Sequence, residues 1–208
     1  MNKVNVLLLG KAASGKDYSA KKLKELFGDR ANLVVSSTTR PKRQSEVDEV
    51  DYNFISLGDF LKKISAHEML EYSVFNDWYY GTDQHALSGQ INIAVVNLEG
   101  AKNMLLNTDR RHNFIIIILC EPFWKRAVRY IKRGGFSFEM IRRFIADYRD
   151  FHKTDVWKQR PRRYKKLKVG EVQFKGWTYD HNTVYLYLKS KDIEKYFNDI
   201  QHLAEAML

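Results

Sequence analysis

Eight residues near the start of the chain, Gly10-Lys11-Ala12-Ala13-Ser14-Gly15-Lys16-Asp17, carry its strongest chemical signal. They read G-x4-G-K, the pattern of a loop that wraps phosphate. Glycines at that spacing let the backbone curl so that successive N–H groups point inward at phosphate oxygens. The helix expected from Asp17 onward adds its positive end, and Lys16 adds a mobile charge at the bridge between two phosphates. Gly10, Ala13, Ser14, Gly15, Lys16 and Asp17 are therefore the candidate phosphate contacts. Asp17 stands where the pattern has Ser or Thr, whose hydroxyl normally ligates Mg²⁺. A carboxylate there can hold the ion directly or through water, but it also repels the neighbouring phosphate.

Such a loop needs a strand before it and a helix after it. Residues 4–9 (VNVLLL) read as a buried strand, and 17–27 as a helix with Ala20, Leu23, Leu26 and Phe27 on its inner face. Further strands are expected at 33–36, 91–98, 114–119 and 183–188. The runs at 91–98 and 114–119 are of the kind buried on both faces, which points to a parallel sheet with crossover helices. Two amphipathic helices, 123–132 and 137–151, meet at Gly134-Gly135, and Ser190 is expected to cap a final helix that buries Ile193, Tyr196, Phe197, Ile200, Leu203 and Met207. The expected fold class is α/β: a P-loop NTPase fold with a parallel sheet core flanked by helices, plus small inserted lobes.

Composition narrows the field. The chain has 208 residues, 44% of them hydrophobic, enough for a sizeable core. Its longest apolar run, residues 114–120, is far below the roughly 20 residues a membrane-spanning helix needs, and residues 4–9 are too short for a signal-peptide core. A single cysteine, Cys120, excludes an internal disulfide and fits a reducing cytoplasm. The six histidines are scattered without ligand spacing, so no histidine metal site is expected. The net charge of +10 is uneven: residues 149–175 hold ten basic side chains against three acidic. Lys158 to Lys168 has seven basic residues in eleven, with Trp157, Tyr164, Phe174 and Trp177 around it. That pairing of charge and aromatics suits either a solvated loop or a nucleic-acid contact through 153–175.

Beyond the loop, the order of short segments resembles a known family. Ser36-Ser37-Thr38-Thr39-Arg40-Pro41-Lys42-Arg43, then Glu46-Val47-Asp48, Asp51-Tyr52-Asn53-Phe54, Met69-Leu70-Glu71-Tyr72 and Trp78-Tyr79-Tyr80-Gly81-Thr82 are similar to segments of guanylate kinases, over roughly residues 3 to 148. The resemblance implies one kinase domain: a core of 1–36, 83–122 and 179–208, a nucleotide-monophosphate lobe of 37–82, a lid and helical region of 123–151, and a basic insertion of 152–178. It implies ATP and GMP or dGMP as partners, with Mg²⁺ accompanying ATP, in the cytoplasm. Arg40, Arg43, Tyr52 and Tyr80 would surround the acceptor phosphate, and Ser36 would be a further contact to GMP. Glu71 would accept both the ring N1–H and the exocyclic amino group of guanine, with Thr82 beside it; adenine, lacking the N1–H, would leave a desolvated carboxylate unpaired.

Two places depart from the family's pattern. The family has two aspartates two apart where this chain reads Val96-Asn97-Leu98-Glu99-Gly100, with two residues fewer before Gly100. Asn97 and Glu99 then fill the site with one charge lost, which leaves relaxed base choice open. The G-K-D ending is also similar to loops of some bacteriophage deoxynucleoside monophosphate kinases, which implies a viral or prophage origin and a host cytoplasm. On the lid, the resemblance carries a role at the transferring phosphoryl group to Arg133 and Arg143, so the catalytic set is Lys16, Arg40, Arg133 and Arg143. Two other readings compete with a GMP/dGMP kinase. One is a catalytically silent module that binds a partner; the other is a kinase or binder acting on a modified deoxynucleotide or on nucleic acid.

Overall fold

The computed structural model describes residues 1–44, 46–75, 77–134, 138–152 and 183–208. The basic segment, and with it the proposed nucleic-acid contact, lies outside the described residues.

Two sheets organise the chain. The larger joins β1 (Lys3–Gly10), β2 (Ala31–Leu33), β7 (Ile91–Val95), β8 (His112–Leu119) and β9 (Thr183–Leu188) in the order β2-β7-β1-β8-β9. All of its pairings are parallel. The smaller joins β3 (Ser37–Thr38), β4 (Asn53–Phe54), β5 (Met69–Phe75) and β6 (Trp78–Asp83) in the order β4-β3-β6-β5, with β5 and β6 antiparallel.

Alternation along the central strands builds one core on each face of the large sheet. Val4, Val6 and Leu8 of β1, with Ile115 and Ile117 of β8, face one cluster that includes Leu23 and Phe27 of α1 (Lys16–Phe27) and Ile200 and Leu203 of α6 (Phe197–Met207). Leu7 and Leu9, with Phe114, Ile116 and Ile118, face the other, against Ala101 and Met104 of α3 (Leu98–Asn107). The chain leaves β1 toward β2 on one side, and β7 toward β8 on the other. Right-handed crossovers then require α1 and α3 on opposite faces. The first loop after β1 therefore sits at the carboxyl edge of the sheet where the strand order reverses, the usual place for a ligand in this architecture.

Some expected boundaries move. The strand expected at 91–98 ends at Val95, because Asn97 caps α3: its Oδ1 accepts the Gly100 amide at 2.7 Å. The short strand expected at 33–36 is β2, at Ala31–Leu33. Ser190 does not cap the last helix, which begins at Phe197 after a short turn at Ser190–Asp192. Its hydroxyl instead donates to Glu121 Oε1 at 2.8 Å. The two helices after β8 are α4 (Phe123–Gly134) and α5 (Phe138–His152), and α2 (Leu57–Ser65) covers the small sheet through Phe60. No helix among the described residues is long and apolar enough to cross a membrane.

Candidate active site

The two sheets and the two helices α4 and α5 enclose one cleft of about 1240 Å³. Its floor is the loop between β1 and α1. Gly15 holds a left-handed conformation, φ 95° and ψ 27°, immediately before the helix. A side chain at Gly10 would put a Cβ 2.5 Å from Ser14 Oγ and 3.0 Å from the Leu119 carbonyl, so the turn closes only on glycine there. Ala13 also takes φ 58°. The Ser14 hydroxyl is fully buried with no partner in the described residues. Lys16 Nζ donates to the Gly10 carbonyl at 2.8 Å and reaches the Lys11 carbonyl at 3.4 Å. Burial pushes its pKa down, while the charges of Asp17 and Asp147 work against that shift. Asp17 itself is exposed on the cleft wall in the first turn of α1.

Across the cleft, Arg40 is 6% exposed and forms a two-pronged pair with Glu46, Nη1 to Oε2 and Nη2 to Oε1, both at 2.9 Å. Arg43 joins the same carboxylate from its side chain at 3.0 Å and from its amide at 2.9 Å. Burial opposes the Arg40 charge, yet the Glu46 bond holds its pKa above the ordinary value. The guanidinium lies 5.5 Å from the Tyr52 ring centroid and 5.4 Å from that of Phe54. Tyr52 meets Tyr80 edge-on at 6.1 Å, and burial, with the nearby Asp17 charge, pushes its phenol well above the usual range. Glu46, like Ser73, Gly100 and Asp147 on the same cleft, is not among the site residues expected from sequence. Its signal is a carboxylate three residues after one arginine and six after another.

The deepest wall is β5. Glu71 is 5% exposed and receives the Thr82 hydroxyl at 2.7 Å. Burial lifts its pKa to about 7, with Thr82 opposing and the Glu99 charge adding to the rise. Thr82 is fully buried behind it and does not line the cleft; its hydroxyl also meets Ser36 Oγ at 3.3 Å. Ser73, two residues along the same face of β5, lines the cleft and accepts Asn97 Nδ2 at 2.8 Å. Gly100 brings the α3 backbone so close that a Cβ would lie 2.9 Å from Glu71 Oε2. Glu99 is exposed in the first turn of α3.

From α5, Arg143 is half-buried on the cleft wall, close enough for its charge to lower the Lys16 pKa. Arg142 donates to Asp77 at the β5–β6 turn at 2.8 Å. The Arg133 side chain lies outside the described residues. Among the described residues, no group of three or more His, Cys, Asp or Glu side chains is placed to hold a metal. The arrangement is thus a cleft with a phosphate-sized loop at one end, an arginine pair at the other, and a buried carboxylate between hydroxyls on its back wall. That geometry can bind two anions and one polar ring together.

Comparison with known proteins bears on this arrangement. A family model described as guanylate kinase matches residues 2–129. The chain is 34% identical over 146 residues to a guanylate kinase of Thermosynechococcus vestitus, covering 68% of this chain and 75% of that one. It is 39% identical over 129 residues to a guanylate kinase of Chlamydia felis, covering 60% and 61%. The crystal structure of guanylate kinase from Anaplasma phagocytophilum superposes with a TM-score of 0.61 at 19% identity, over 99% of this chain and 86% of that one. This last likeness shows the fold, a parallel sheet flanked by helices.

Proposed function

This chain belongs to the guanylate kinase family, and on that footing we propose that it transfers the γ-phosphoryl group of ATP to GMP or dGMP. The observation that carries the reading is the placement of Lys16, the Arg40–Arg43 corner and Glu71 around one cleft. The chemistry needs no side-chain nucleophile. Phosphoryl transfer spreads charge over equatorial oxygens, so catalysis is mostly the placement of cations and the exclusion of water.

Each group has a task that follows from where it sits. Lys16 exchanges its carbonyl partners for ATP phosphate oxygens, alongside the amides of Gly10, Ala13, Ser14, Gly15 and Asp17. Arg40 and Arg43 exchange Glu46 for the acceptor phosphate, with Tyr52 and Tyr80 able to donate hydroxyl bonds nearby, while Ser36 sits beside Thr82 toward Glu71. Glu71 accepts the N1–H and amino group of guanine, and Thr82 fixes its orientation from behind. Asn97 and Glu99 border the base. Arg143, and Arg133 by its place in the chain, bring positive charge to the transferring group from the lid.

Mg²⁺ bound with ATP keeps most of its water and takes one or two carboxylates, a demand the exposed Asp17 fits. Asp17 would hold the ion, which would supply charge neutralisation at the phosphates. On this reading the small sheet is the acceptor lobe and α4–α5 the lid. Nucleic-acid contact through 153–175 would be an additional property, seen as binding that falls steeply with salt.

The test is ATP consumption with Mg²⁺ across GMP, dGMP, AMP, dTMP, dUMP and CMP, beside Lys16→Ala. Turnover confined to GMP and dGMP and lost in the variant is expected. Turnover on a pyrimidine nucleotide would overturn the role of Glu71, and silence on every nucleotide would leave a binding module.

A further inference from the structure

The flank of the phosphate loop against α4 and α5 is held by a buried ion pair to which the proposed chemistry gives no role, although Asp147 also lines the cleft and its charge acts on Lys16. Arg126 of α4 and Asp147 of α5 are 5% and 4% exposed and pair at 2.9 Å. Both meet one residue of the loop. The Ala12 amide donates to Asp147 Oδ1 and Oδ2 at 3.1 and 2.9 Å, and Arg126 Nη1 donates to the Ala12 carbonyl at 3.1 Å. The guanidinium is boxed by the Phe144 ring, whose centroid lies 4.8 Å away. One turn along α4, Arg129 Nη1 donates to the Ser14 carbonyl at 3.2 Å.

Burial pushes the Arg126 pKa down and that of Asp147 up, so desolvation works against both charges. A buried pair of this kind is a poor source of stability, because apolar side chains of similar volume often do as well. It is a strong source of orientation. In a planar trans peptide the carbonyl and the following N–H point in opposite directions. An arginine on the Ala12 carbonyl therefore turns the Ala13 amide the other way, and one on the Ser14 carbonyl does the same for the Gly15 amide. The arginine bonds thus set the direction of the donors that follow in the loop. Asp147 lies beyond the residues, 2–129, that match the family model.

We propose that Arg126 and Asp147 are positioning residues for ATP, which clamp both backbone groups of Ala12 from the side of α4 and α5 and hold the amides that follow it ready for phosphate. The inference rests on reading the loop as the ATP site. It makes the two lid helices part of the nucleotide floor, so the ATP end and the lid respond as one unit.

The experiment is calorimetric titration of the full chain with ATP and, separately, with GMP. It compares wild type with Lys16→Ala, Asp147→Asn, Arg126→Lys and the apolar double variant Arg126→Met/Asp147→Leu, each with its melting temperature. Asp147→Asn is expected to raise the ATP Kd about tenfold, the scale of one well-placed hydrogen-bond network lost, and to leave the GMP Kd within about twofold. Arg126→Lys recovers part of the ATP affinity that Arg126→Met/Asp147→Leu loses, while the double variant melts at or above the wild-type temperature. A double variant that binds ATP as wild type does, or equal losses for ATP and GMP, would overturn the proposal. Loss in Lys16→Ala without loss in Asp147→Asn overturns it alone. Wild-type protein without measurable ATP affinity overturns the reading of the loop, and the inference with it.

Discussion

Thr82 donates its hydroxyl to Glu71 at 2.7 Å from a position with no exposed surface, so the carboxylate is oriented from behind and its second oxygen is turned toward the α3 backbone at Gly100. Burial holds this carboxyl at a pKa of about 7. Two ring donors favour the ionised form, so base binding must expel a proton wherever Glu71 is still protonated. Acceptor KM should therefore rise about tenfold per unit as pH falls below 7, while ATP KM stays flat. The acceptor phosphate also titrates near pH 6. Glu71→Gln supplies the slope due to the phosphate alone, and should itself lose about 100-fold in kcat/KM for the acceptor. Stability runs the other way from most carboxyls. With the folded pKa above the unfolded one, Glu71 favours the folded state at acid pH, and that margin is lost as pH rises from about 4.5 through 7.

A substitution at Gly100 would separate the proposed base binding from folding. Alanine is the better helix former by about 1 kcal/mol, yet its Cβ would meet Glu71 Oε2 at 2.9 Å and Asn97 Oδ1 at 3.1 Å. Gly100→Ala should melt within about 3 °C of wild type, since the two contributions oppose each other. Acceptor KM should rise about tenfold or more because the carboxylate is displaced. Steady-state kinetics beside a thermal melt checks both, and an unchanged acceptor KM would remove Glu71 from the base site.

Asn97 joins two elements: its carbonyl caps α3 and its amide nitrogen holds Ser73. Asn97→Ala should cost about 1 kcal/mol for the lost cap, or about 2–4 °C in melting temperature for a chain of this size. Ser73→Ala keeps the cap and should leave the melting temperature nearly unchanged. If the Ser73–Asn97 contact shapes the base site, both variants raise acceptor KM; if only Asn97→Ala does, the helix start alone matters.

The sequence made the loop, the strands around it and most of the cleft legible, because those features are local. G-x4-G-K needs only a strand before it and a helix after it, and both are visible as periodic runs. What stayed hidden depends on partners distant in sequence. Ser190 looks like a helix cap until Glu121, 69 residues away, takes its hydroxyl. Thr82 pairs with Glu71 across β5 and β6, 11 residues apart, so a bond that the sequence does not announce ties the two side chains together. Asp147 looks like one more charge on an amphipathic helix, and only the fold brings it to Ala12, 135 residues earlier. Glu46 is hidden for another reason: its partners Arg43 and Arg40 lie only three and six residues away, but a charged turn reads as solvated until the fold buries Arg40.

A row of asparagines crosses the large sheet at the end away from the cleft, and it tests whether the fold and the site are separable. Asn32 Nδ2 donates to Asn92 Oδ1 at 3.2 Å, and Asn92 Nδ2 donates to Asn5 Oδ1 at 3.2 Å, across the paired strands β2, β7 and β1. Asn92 also exchanges bonds of 2.9 Å with both backbone groups of Gly89, and both Asn5 and Asn92 are fully buried. In parallel strands that are otherwise apolar, this row penalises any slip in register, since a shifted strand would set an amide against hydrocarbon. Asn92→Val suits a strand by shape but strands the polar groups of Asn5, Asn32 and Gly89. Leaving such buried groups unpaired costs about 1–3 kcal/mol each where water cannot reach them, so a total loss of about 3 kcal/mol is expected. The melting temperature should fall by about 6–12 °C. Below the transition, KM for both substrates should stay within about twofold of wild type, because the row touches no cleft residue. A melt without that loss would mean the row does not fix the register. A change in KM at full folding would mean that the sheet passes strain to the loop at the other end of β1.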